Sequence, residues 1–395
     1  MKKILLLGGA NTQIPSILTA KKMGYYTITC DYLPDNPGHK FADEYHNVST
    51  TDKEAVLALA KELQIDGILA YATDVAAATA AYVSEAMGFP TSPYKSVDIL
   101  TNKDKFRAFL EENGFCTPRA RGYSSVEEAK KDLENFKFPV MVKPVDSAGS
   151  KGVARMDDAG QLEELVENAL QYSRCKRFII EEYVEKYRYQ IAGDGFSVDG
   201  KLVFRCFANE HFSNKAASPY VPIGESFPYD MPKEVHEKVH AEIQRLLDMK
   251  TQAYNFDIRI DKDYNVYLME VGPRNGGNMI AQVIEKATGI PFVEYMLKAA
   301  MGEDCSDLKM VEPEGFWSCY ILHTLKEGNF KRIQYTDEIK KNIVEEHIHV
   351  KEGEKLIPFT GSNGTVGVLI LRYDSMEEML HKMDNMYDYI TVEVE

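Results

Sequence analysis

Short apolar runs and amphipathic stretches alternate over the first 90 residues. The runs ILLL, YTITCDY and DGILAY are typical of β-strands, whereas TQIPSILTAKKMG, KEAVLALAKEL and VAAATAAYVSEAMG repeat apolar residues with the period of a helix. Strands that alternate with helices predict a parallel sheet covered by helices on both faces. The pattern therefore predicts an N-terminal α/β domain.

The pattern changes after FPTSPYKS, whose prolines and serines predict a domain boundary. VDILTNKDKFRAFLEENG then predicts a single helix, and Gly114 at its end suits the left-handed conformation of a helix C-terminus. From Phe138 onward, strand-like runs follow one another in pairs. Asp199-Gly200 separates two of them and is typical of a two-residue hairpin turn. The middle of the chain is thus predicted to be built from antiparallel hairpins with a few helices.

The tail mixes the strand-like runs FWSCYILH, TVGVLILRY and ITVEV with a helical stretch, SMEEMLHKMDNM. This mixture predicts a C-terminal α+β cap. Together with the preceding segments, it makes the chain a multidomain protein of the α/β and α+β classes.

Charge and cysteine usage narrow the function classes. The chain has 61 acidic and 46 basic residues, a formal net charge of −15, which repels nucleic acid and anionic membrane surfaces. No apolar run approaches the roughly 20 residues of a membrane span, and the run in MKKILLLGGANTQ is too short for a signal peptide. The six cysteines form no C-x-x-C pair. We therefore expect a cytoplasmic protein with reduced thiols and no nucleic-acid or membrane partner.

One glycine-containing stretch, MVKPVDSAGSKG at 141–152, raises the question of phosphate binding. Its glycines do not fit the P-loop spacing, and a strand rather than a helix follows them. A hairpin loop of this kind can still bind phosphate through consecutive backbone N–H groups. An ordinary surface turn is the alternative.

Four elements in this order resemble the ATP-grasp superfamily, which includes biotin carboxylase, carbamoyl-phosphate synthetase and D-alanine–D-alanine ligase. They are Lys103 in TNKDKF, Lys143 in VMVKP, the glycine loop, and the acidic end of RFIIEEYVE. The resemblance implies an ATP-grasp fold with a Rossmann-like parallel-sheet domain at 1–92 and a helical linker at 93–117. It further implies a small lobe at 118–186, a large lobe at 187–302 and the α+β cap at 303–395.

The resemblance also implies an ATP site. The two lysines would contact phosphates, the loop would close over them, and the segment after the RFII strand would hold adenine. At position 190, many relatives place a glutamate on the ribose where this chain has glutamine. The implied ATP-binding residues are Lys103, Lys143, Ser147, Gly149, Ser150, Gly152, Glu181, Glu182, Val184 and Gln190.

A hairpin, YNFDIRI with NVYLMEV, supplies two carboxylates. Asp257 and Glu270 lie on its two strands and can point the same way, and hard oxygen ligands suit Mg²⁺. The resemblance makes them the magnesium ligands, with Mn²⁺ as an alternative ion. Relatives have an asparagine at the position of Gly272, so Asn275 or water would have to substitute. Arg274 is implied to hold the transferring phosphoryl group, which makes Arg274 and Lys143 the expected catalytic residues.

A zinc site is a competing hypothesis. HEKVH matches the H-E-x-x-H pattern, and His236 and His240 lie one helical turn apart. They lie beside the apolar stripe of their helix, and no third histidine follows at the spacing of a zinc protease.

Candidate substrate-binding residues come from the polar segment CFANEHFSNKAASPYVPIGESFP and from the NGGN stretch. His211 and Lys215 lie in the former and Asn278 in the latter. An ordered surface loop is the alternative for the first segment.

The function implied by the resemblance is an ATP-dependent carboxylate–amine ligase. It would activate a carboxylate as an acyl phosphate, join it to an amine and release ADP and phosphate. Purine-pathway ligases and bicarbonate-activating carboxylases of the same superfamily are alternatives, and a zinc hydrolase and a silent nucleotide sensor are alternatives of other classes. The expected partners are a small-molecule carboxylate and an amine, and a homodimer is compatible with the resemblance.

Overall fold

A computed structural model describes residues 1–216, 219–246, 249–361 and 364–395. The N-terminal region contains one sheet of four parallel strands in the order β3-β2-β1-β4. Its strands and helices are β1 (Lys3–Leu7), α1 (Ile14–Lys22), β2 (Tyr26–Cys30), β3 (Glu44–His46), α2 (Lys53–Leu63), β4 (Gly67–Leu69) and α3 (Asp74–Met87). This confirms the predicted parallel sheet.

The first strand is apolar throughout because both of its faces are buried. Leu5 and Leu7 pack in the core of the N-terminal sheet. Ile4 and Leu6 point the other way, into a core shared with helices that follow residue 279. This second core fixes the N-terminal sheet against the rest of the molecule, so that residues from both regions can meet at one site.

The predicted single helix over VDILTNKDKFRAFLEENG is wrong. The structure has two helices, α4 (Tyr94–Thr101) and α5 (Lys103–Glu112), which are separated by Asn102 in an extended conformation. The backbone N–H of Lys103 donates to the carbonyl of Val145 at 2.9 Å, which starts the second helix beside the glycine loop. The predicted end is confirmed, since Gly114 follows the helix with φ +68°.

A small antiparallel sheet follows, with the order β5-β8-β6-β7 and two helices on it. Its elements are β5 (Ala120–Tyr123), α6 (Val126–Asp132), β6 (Val140–Pro144), β7 (Ala154–Met156), α7 (Leu162–Tyr172) and β8 (Phe178–Glu182). Strands β6 and β7 form the predicted hairpin around the glycine loop.

The next strands form a larger antiparallel sheet. They are β9 (Gln190–Val198), β10 (Lys201–Phe212), β11 (Pro222–Phe227), β12 (Gln252–Ile260) and β13 (Val266–Gly272), with helices α8 (Lys233–Gln244), α9 (Ile280–Thr288) and α10 (Phe292–Ala300). The turn between β9 and β10 has positive φ at Asp199 and Gly200, which confirms the predicted hairpin turn.

The tail contributes strands to two sheets. Three of its strands, β14 (Phe316–His323), β16 (Ile343–Ile348) and β18 (Thr365–Tyr373), extend the large sheet to the order β13-β12-β9-β10-β11-β14-β18-β16. Strands β15 (Gly328–Tyr335), β17 (Lys355–Leu356) and β19 (Ile390–Val394) form a separate antiparallel sheet in the order β17-β15-β19, and the remaining helices are α11 (Asp337–Lys340) and α12 (Met376–Asp384). The predicted boundary between 302 and 303 therefore separates two parts of one hydrogen-bonded sheet, and the domain limits stay a prediction.

Among the described residues, none of the helices combines the length and the apolar character that crossing a bilayer requires.

Candidate active site

A cleft lies where the N-terminal region, the small sheet and the large sheet meet. Its walls include Asp74 at the start of α3, Lys103 at the start of α5, Ser147 in the glycine loop, and Glu270 and Gly272 at the end of β13. The structure thus brings together predicted residues that are separated by up to about 170 positions along the chain.

The two predicted magnesium ligands lie directly opposite each other. Asp257 on β12 pairs in register with Glu270 on β13, so both side chains project from the same face of the hairpin. Burial and the neighbouring Glu270 raise the pKa of Asp257 to about 7. Two close carboxylates that repel each other fit one magnesium ion, whose other positions water and phosphate can fill.

Lys103 forms an ion pair with one of these two carboxylates, Glu270. Its Nζ lies 2.9 Å from Glu270 Oε2 and donates to the carbonyl of Ser147 at 3.0 Å. Burial acts to lower the pKa of Lys103, but Glu270 outweighs it and the pKa is raised. Lys103 therefore stays charged and links the glycine loop to the predicted metal site.

Lys143 lies in a buried ionic triad with Glu181 and Arg107. Lys143 donates to Glu181 Oε1, and Arg107 Nε donates to Glu181 Oε2 at 2.9 Å. Burial by itself raises the pKa of Glu181, but the two cations lower it to about 2. The remaining Arg107 nitrogens donate to the carbonyls of Leu268 and Met269. Arg107 thus connects β8 of the small sheet to β13 of the large sheet.

Sequence reasoning missed Arg107. Arg107 directly follows Phe106, which is buried together with Leu110 on the apolar face of α5. Its position next to this face was the one indication in the sequence that Arg107 is buried. A buried arginine needs a carboxylate partner. Glu181, which was already predicted to lie at the site, is that partner.

The predicted adenine and ribose residues are held by protein contacts. The N–H of Glu182 donates to the carbonyl of Arg119 at 2.9 Å, and the carbonyl of Val184 accepts from Arg259 Nη1 at 2.7 Å. Gln190 accepts from Arg259 Nε at 2.8 Å and donates to Glu210 Oε2 at 2.6 Å. Since both ends of its amide are engaged, a ribose contact by Gln190 would have to replace one of these bonds.

The glycine loop folds back on itself and touches distant segments. Ser147 Oγ donates to the carbonyl of Lys151 at 3.1 Å, and Ser150 Oγ donates to the carbonyl of Tyr220 at 2.8 Å. Gly149, Ser150 and Gly152 all have positive φ, between +57° and +72°. This backbone turns repeatedly without regular pairing, as expected of a loop that covers a ligand.

We expect Gly152→Ala to destabilise the small lobe by about 1–3 kcal/mol. Besides the strain of positive φ, a Cβ at Gly152 would lie 2.9 Å from side-chain atoms of Pro144 and Tyr172. Chemical denaturation measures the loss. Gly88→Ala is the matched control, because Gly88 has φ +73° and no atom within 4 Å of an added Cβ. Equal losses in the two variants would show that packing at Gly152 contributes nothing.

Arg274 is held by a residue that sequence reasoning also missed. Its Nε and Nη2 donate to the two carboxylate oxygens of Asp74 at 2.7 and 2.6 Å, and its Nη1 donates to the carbonyl of Asn275. A Cβ added to Gly272 would lie 3.1 Å from Asp74 and 3.3 Å from Arg274. The glycine therefore leaves room for this pair where relatives would place an asparagine side chain.

The suggested substitute ligand, Asn275, points away from the carboxylate pair. Its Oδ1 accepts from the N–H of Ala72 at 3.0 Å, and its Nδ2 donates to the carbonyl of Gly276. Asn275 is therefore corrected from a candidate metal ligand to a residue that ties the large lobe to the N-terminal sheet. Asn278 lies in the turn before α9 with φ +50°.

His211 and Lys215 are not brought to the cleft. His211 is buried, with Nδ1 at 2.8 Å from Asp384 and Nε2 at 2.8 Å from Ser226 Oγ. Lys215 lies on the surface, 3.4 Å from Asp388. These contacts attach the segment to the C-terminal elements, so the suggestion that the two residues bind substrate is corrected.

The zinc hypothesis is not supported. His236 Nε2 lies 3.2 Å from the carbonyl of Tyr229, and its ring packs on Phe207 and Tyr229. Across the described ranges, no group of three or more His, Cys, Asp or Glu side chains is arranged to hold a metal. His236 is therefore a packing residue of α8.

Comparison with known proteins agrees with this geometry. Residues 136–282 match the family model described as an ATP-grasp domain. Residues 136–282 are thus an ATP-grasp domain. The resemblance inferred from the lysines, the loop and the carboxylate hairpin is thereby confirmed.

Three relatives show how far the ATP-grasp likeness extends. The chain is 28% identical to a formate-dependent phosphoribosylglycinamide formyltransferase of Rhodococcus jostii, over 69% of this chain and 68% of that protein. It is 26% identical to a carbamoyl phosphate synthase large chain of Thermoanaerobacter sp., over 62% of this chain and 22% of that protein. An L-amino acid ligase structure from Bacillus licheniformis superposes with a TM-score of 0.81 at 22% identity, covering 100% and 99% of the two chains. The ATP-grasp fold is therefore confirmed over the whole chain, although the chain spans well under half the length of the carbamoyl phosphate synthase chains that it matches.

Proposed function

We propose that this protein is an ATP-dependent ligase that activates a carboxylate as an acyl phosphate and joins it to an amine, releasing ADP and phosphate. The observation that carries the proposal is the cleft in which Lys103, the Asp257–Glu270 pair and the Asp74–Arg274 pair converge beneath the glycine loop. A protein that only binds a nucleotide would not need the two carboxylates Asp257 and Glu270 together with the cations Lys103 and Arg274.

The roles of the residues follow from their chemistry. Asp257 and Glu270 would hold Mg²⁺, which neutralises phosphate charge when it is bound. Lys103 and Lys143 would contact phosphate oxygens as point charges. Arg274 has N–H groups beyond the three that bond to Asp74 and Asn275, and these would hold the transferring phosphoryl group.

Phosphoryl transfer makes the carboxylate reactive. A carboxylate resists attack because an oxide would have to leave, whereas the acyl phosphate releases phosphate when the amine attacks. The chain's own contribution is to align the two reactants and to exclude water beneath the loop. The products are an amide, ADP and phosphate.

The decisive experiment is ADP release measured across pairs of carboxylic acids and amines, each with and without the other partner. We expect release that depends on both partners, and a mass increase that corresponds to the amide. Release with bicarbonate in place of an organic acid would identify the carboxylase-type alternative instead. Absence of release with every pair would contradict the ligase proposal.

We expect Lys143→Ala to remove most of the thermal stabilisation that ATP with Mg²⁺ gives the wild type. Ligand binding raises the melting temperature by mass action, and the variant lacks a cation next to the loop. Differential scanning fluorimetry measures the shift. Lys201→Ala, at an exposed hairpin turn, is the control and should keep the full shift. An unchanged shift in Lys143→Ala would disprove the role of Lys143 in nucleotide binding.

A further inference from the structure

Acidic side chains lie on four neighbouring strands of the large sheet, all on one face. Glu210 pairs directly with Gln190 on one side and with Glu225 on the other. Asp194 pairs with Asn255, two positions from Asp257. Since directly opposite residues and residues two apart on a strand share a face, these acids share the face that carries the predicted metal site.

Three cations near this face are engaged by other groups, and a fourth, Lys186, acts on Glu210 through its charge. Lys103 pairs with Glu270, Arg274 pairs with Asp74, and Arg259 donates to Gln190 and to the carbonyl of Val184. In the described part of the chain, no ion pair includes any of these three acids: Asp194, Glu210 and Glu225. These three acids therefore have no ion-pair partner of their own among the described residues.

Glu225 differs from the other acids in lacking a donor. Asp194 accepts from Asn255 Nδ2 at 3.0 Å and from the N–H of Gly276 at 2.8 Å, and Glu210 accepts from Gln190. Glu225 is 9% exposed, and its Oε2 is buried with no hydrogen-bond partner among the residues described. Burial, and next the charge of Asp194, raise the pKa of Glu225 well above its usual range.

A buried carboxylate without a donor or a cation is costly, and native proteins rarely keep one without a use for it. The raised pKa of Glu225 favours the protonated form when no cation is near, and a bound cation would let Glu225 ionise. A dedicated metal cage is disfavoured, because no group of three metal-ligating side chains is present in the described ranges. An ammonium group supplies one positive charge and three N–H donors, which suits a site with several acceptors on neighbouring strands.

We propose that Glu225 anchors the amine substrate, and that this substrate enters as a positively charged ammonium compound rather than as a neutral amide. The proposal rests on the ligase function proposed above and names its acceptor class. Glu210 lies directly opposite Glu225, and the charge of Asp194 on the same face also acts on it. The site lies on the same face as Asp257, so the nitrogen would be held on the side of the sheet where the acyl phosphate forms.

The first test is kinetic and uses Glu225→Gln with the amine found in the ADP-release screen. Loss of a charged hydrogen-bond partner should raise the KM for that amine about tenfold or more. The KM for ATP should stay unchanged, because Glu225 is not among the residues proposed to hold the nucleotide. Glu327→Gln is the matched control, since its carboxylate is exposed and pairs with Lys355. An unchanged amine KM in Glu225→Gln would overturn the amine site and leave the ligase function standing.

The second test needs no turnover. Glycinamide, which carries an ammonium group, should raise the melting temperature of the wild type but not of Glu225→Gln, and neutral N-acetylglycinamide should raise neither. This pattern without any ADP release would support the amine site while refuting the ligase function. Equal stabilisation of both proteins by glycinamide would overturn the site.

The unliganded stability of the variant gives a third readout. If Glu225 is kept for a ligand, replacing its unpaired carboxylate with an amide should leave the melting temperature unchanged or raise it. A clear drop would indicate that Glu225 stabilises the fold and would overturn the proposal.

Discussion

Replacing Glu270 with glutamine should lower turnover by about 10²–10³-fold while the protein stays folded. The amide keeps the shape of the side chain but removes a negative charge from the predicted magnesium site. It also removes the carboxylate that holds Lys103 at 2.9 Å. ADP release at saturating substrates measures the effect, and a thermal melt tests the fold.

Asp263→Asn is the control for Glu270→Gln. It makes the same change of charge in the exposed turn of the same hairpin, so turnover should stay near the wild-type value. If Glu270→Gln retains most of its activity, the hairpin is not the metal site and the proposed mechanism is wrong.

Replacing Arg107 with methionine should lower the free energy of unfolding by about 3 kcal/mol. The change leaves Glu181, which is 1% exposed, with Lys143 as its remaining partner. It also leaves the carbonyls of Leu268 and Met269 without the donors that Arg107 supplies. Denaturant unfolding measures the loss. Arg121→Met is the control, because its exposed pair with Asp132 should contribute at most about 1 kcal/mol.

The pH dependence gives an independent check on Arg107. In the folded protein the pKa of Glu181 is about 2, below its ordinary value of 4.5. Its ionic stabilisation is therefore fully present above pH 4.5 and is lost as the pH falls from 4.5 towards 2. Arg107→Met should weaken this acid dependence. The same dependence in the variant and the wild type would show that Arg107 does not hold Glu181 ionised.

The sequence by itself determined the elements whose cause is local. Alternating strand-like and helical runs predicted the parallel N-terminal sheet. Asp199-Gly200 predicted the hairpin turn between β9 and β10 of the large sheet, because both central residues of this turn need positive φ. The pairing of Asp257 with Glu270 followed from the short turn between their strands, which fixes the register. Lys103, Lys143 and the glycine loop were recognisable because their order along the chain resembles that of the ATP-grasp superfamily.

Tertiary structure alone decided which side chains complete the site. Asp74 and Arg274 are 200 positions apart, and no periodicity along the chain relates them; they meet because the second face of β1 packs on the helices of the large lobe. The same holds for Arg107 with Glu181, and for His211 with Asp384. Sequence reasoning placed His211 at the substrate because a polar loop looks available, whereas the fold buried it against the tail. The partners of the buried acids are likewise decided by packing, since only the folded molecule shows that Asp194 and Glu210 accept hydrogen bonds whereas Glu225 Oε2 accepts none from the described residues.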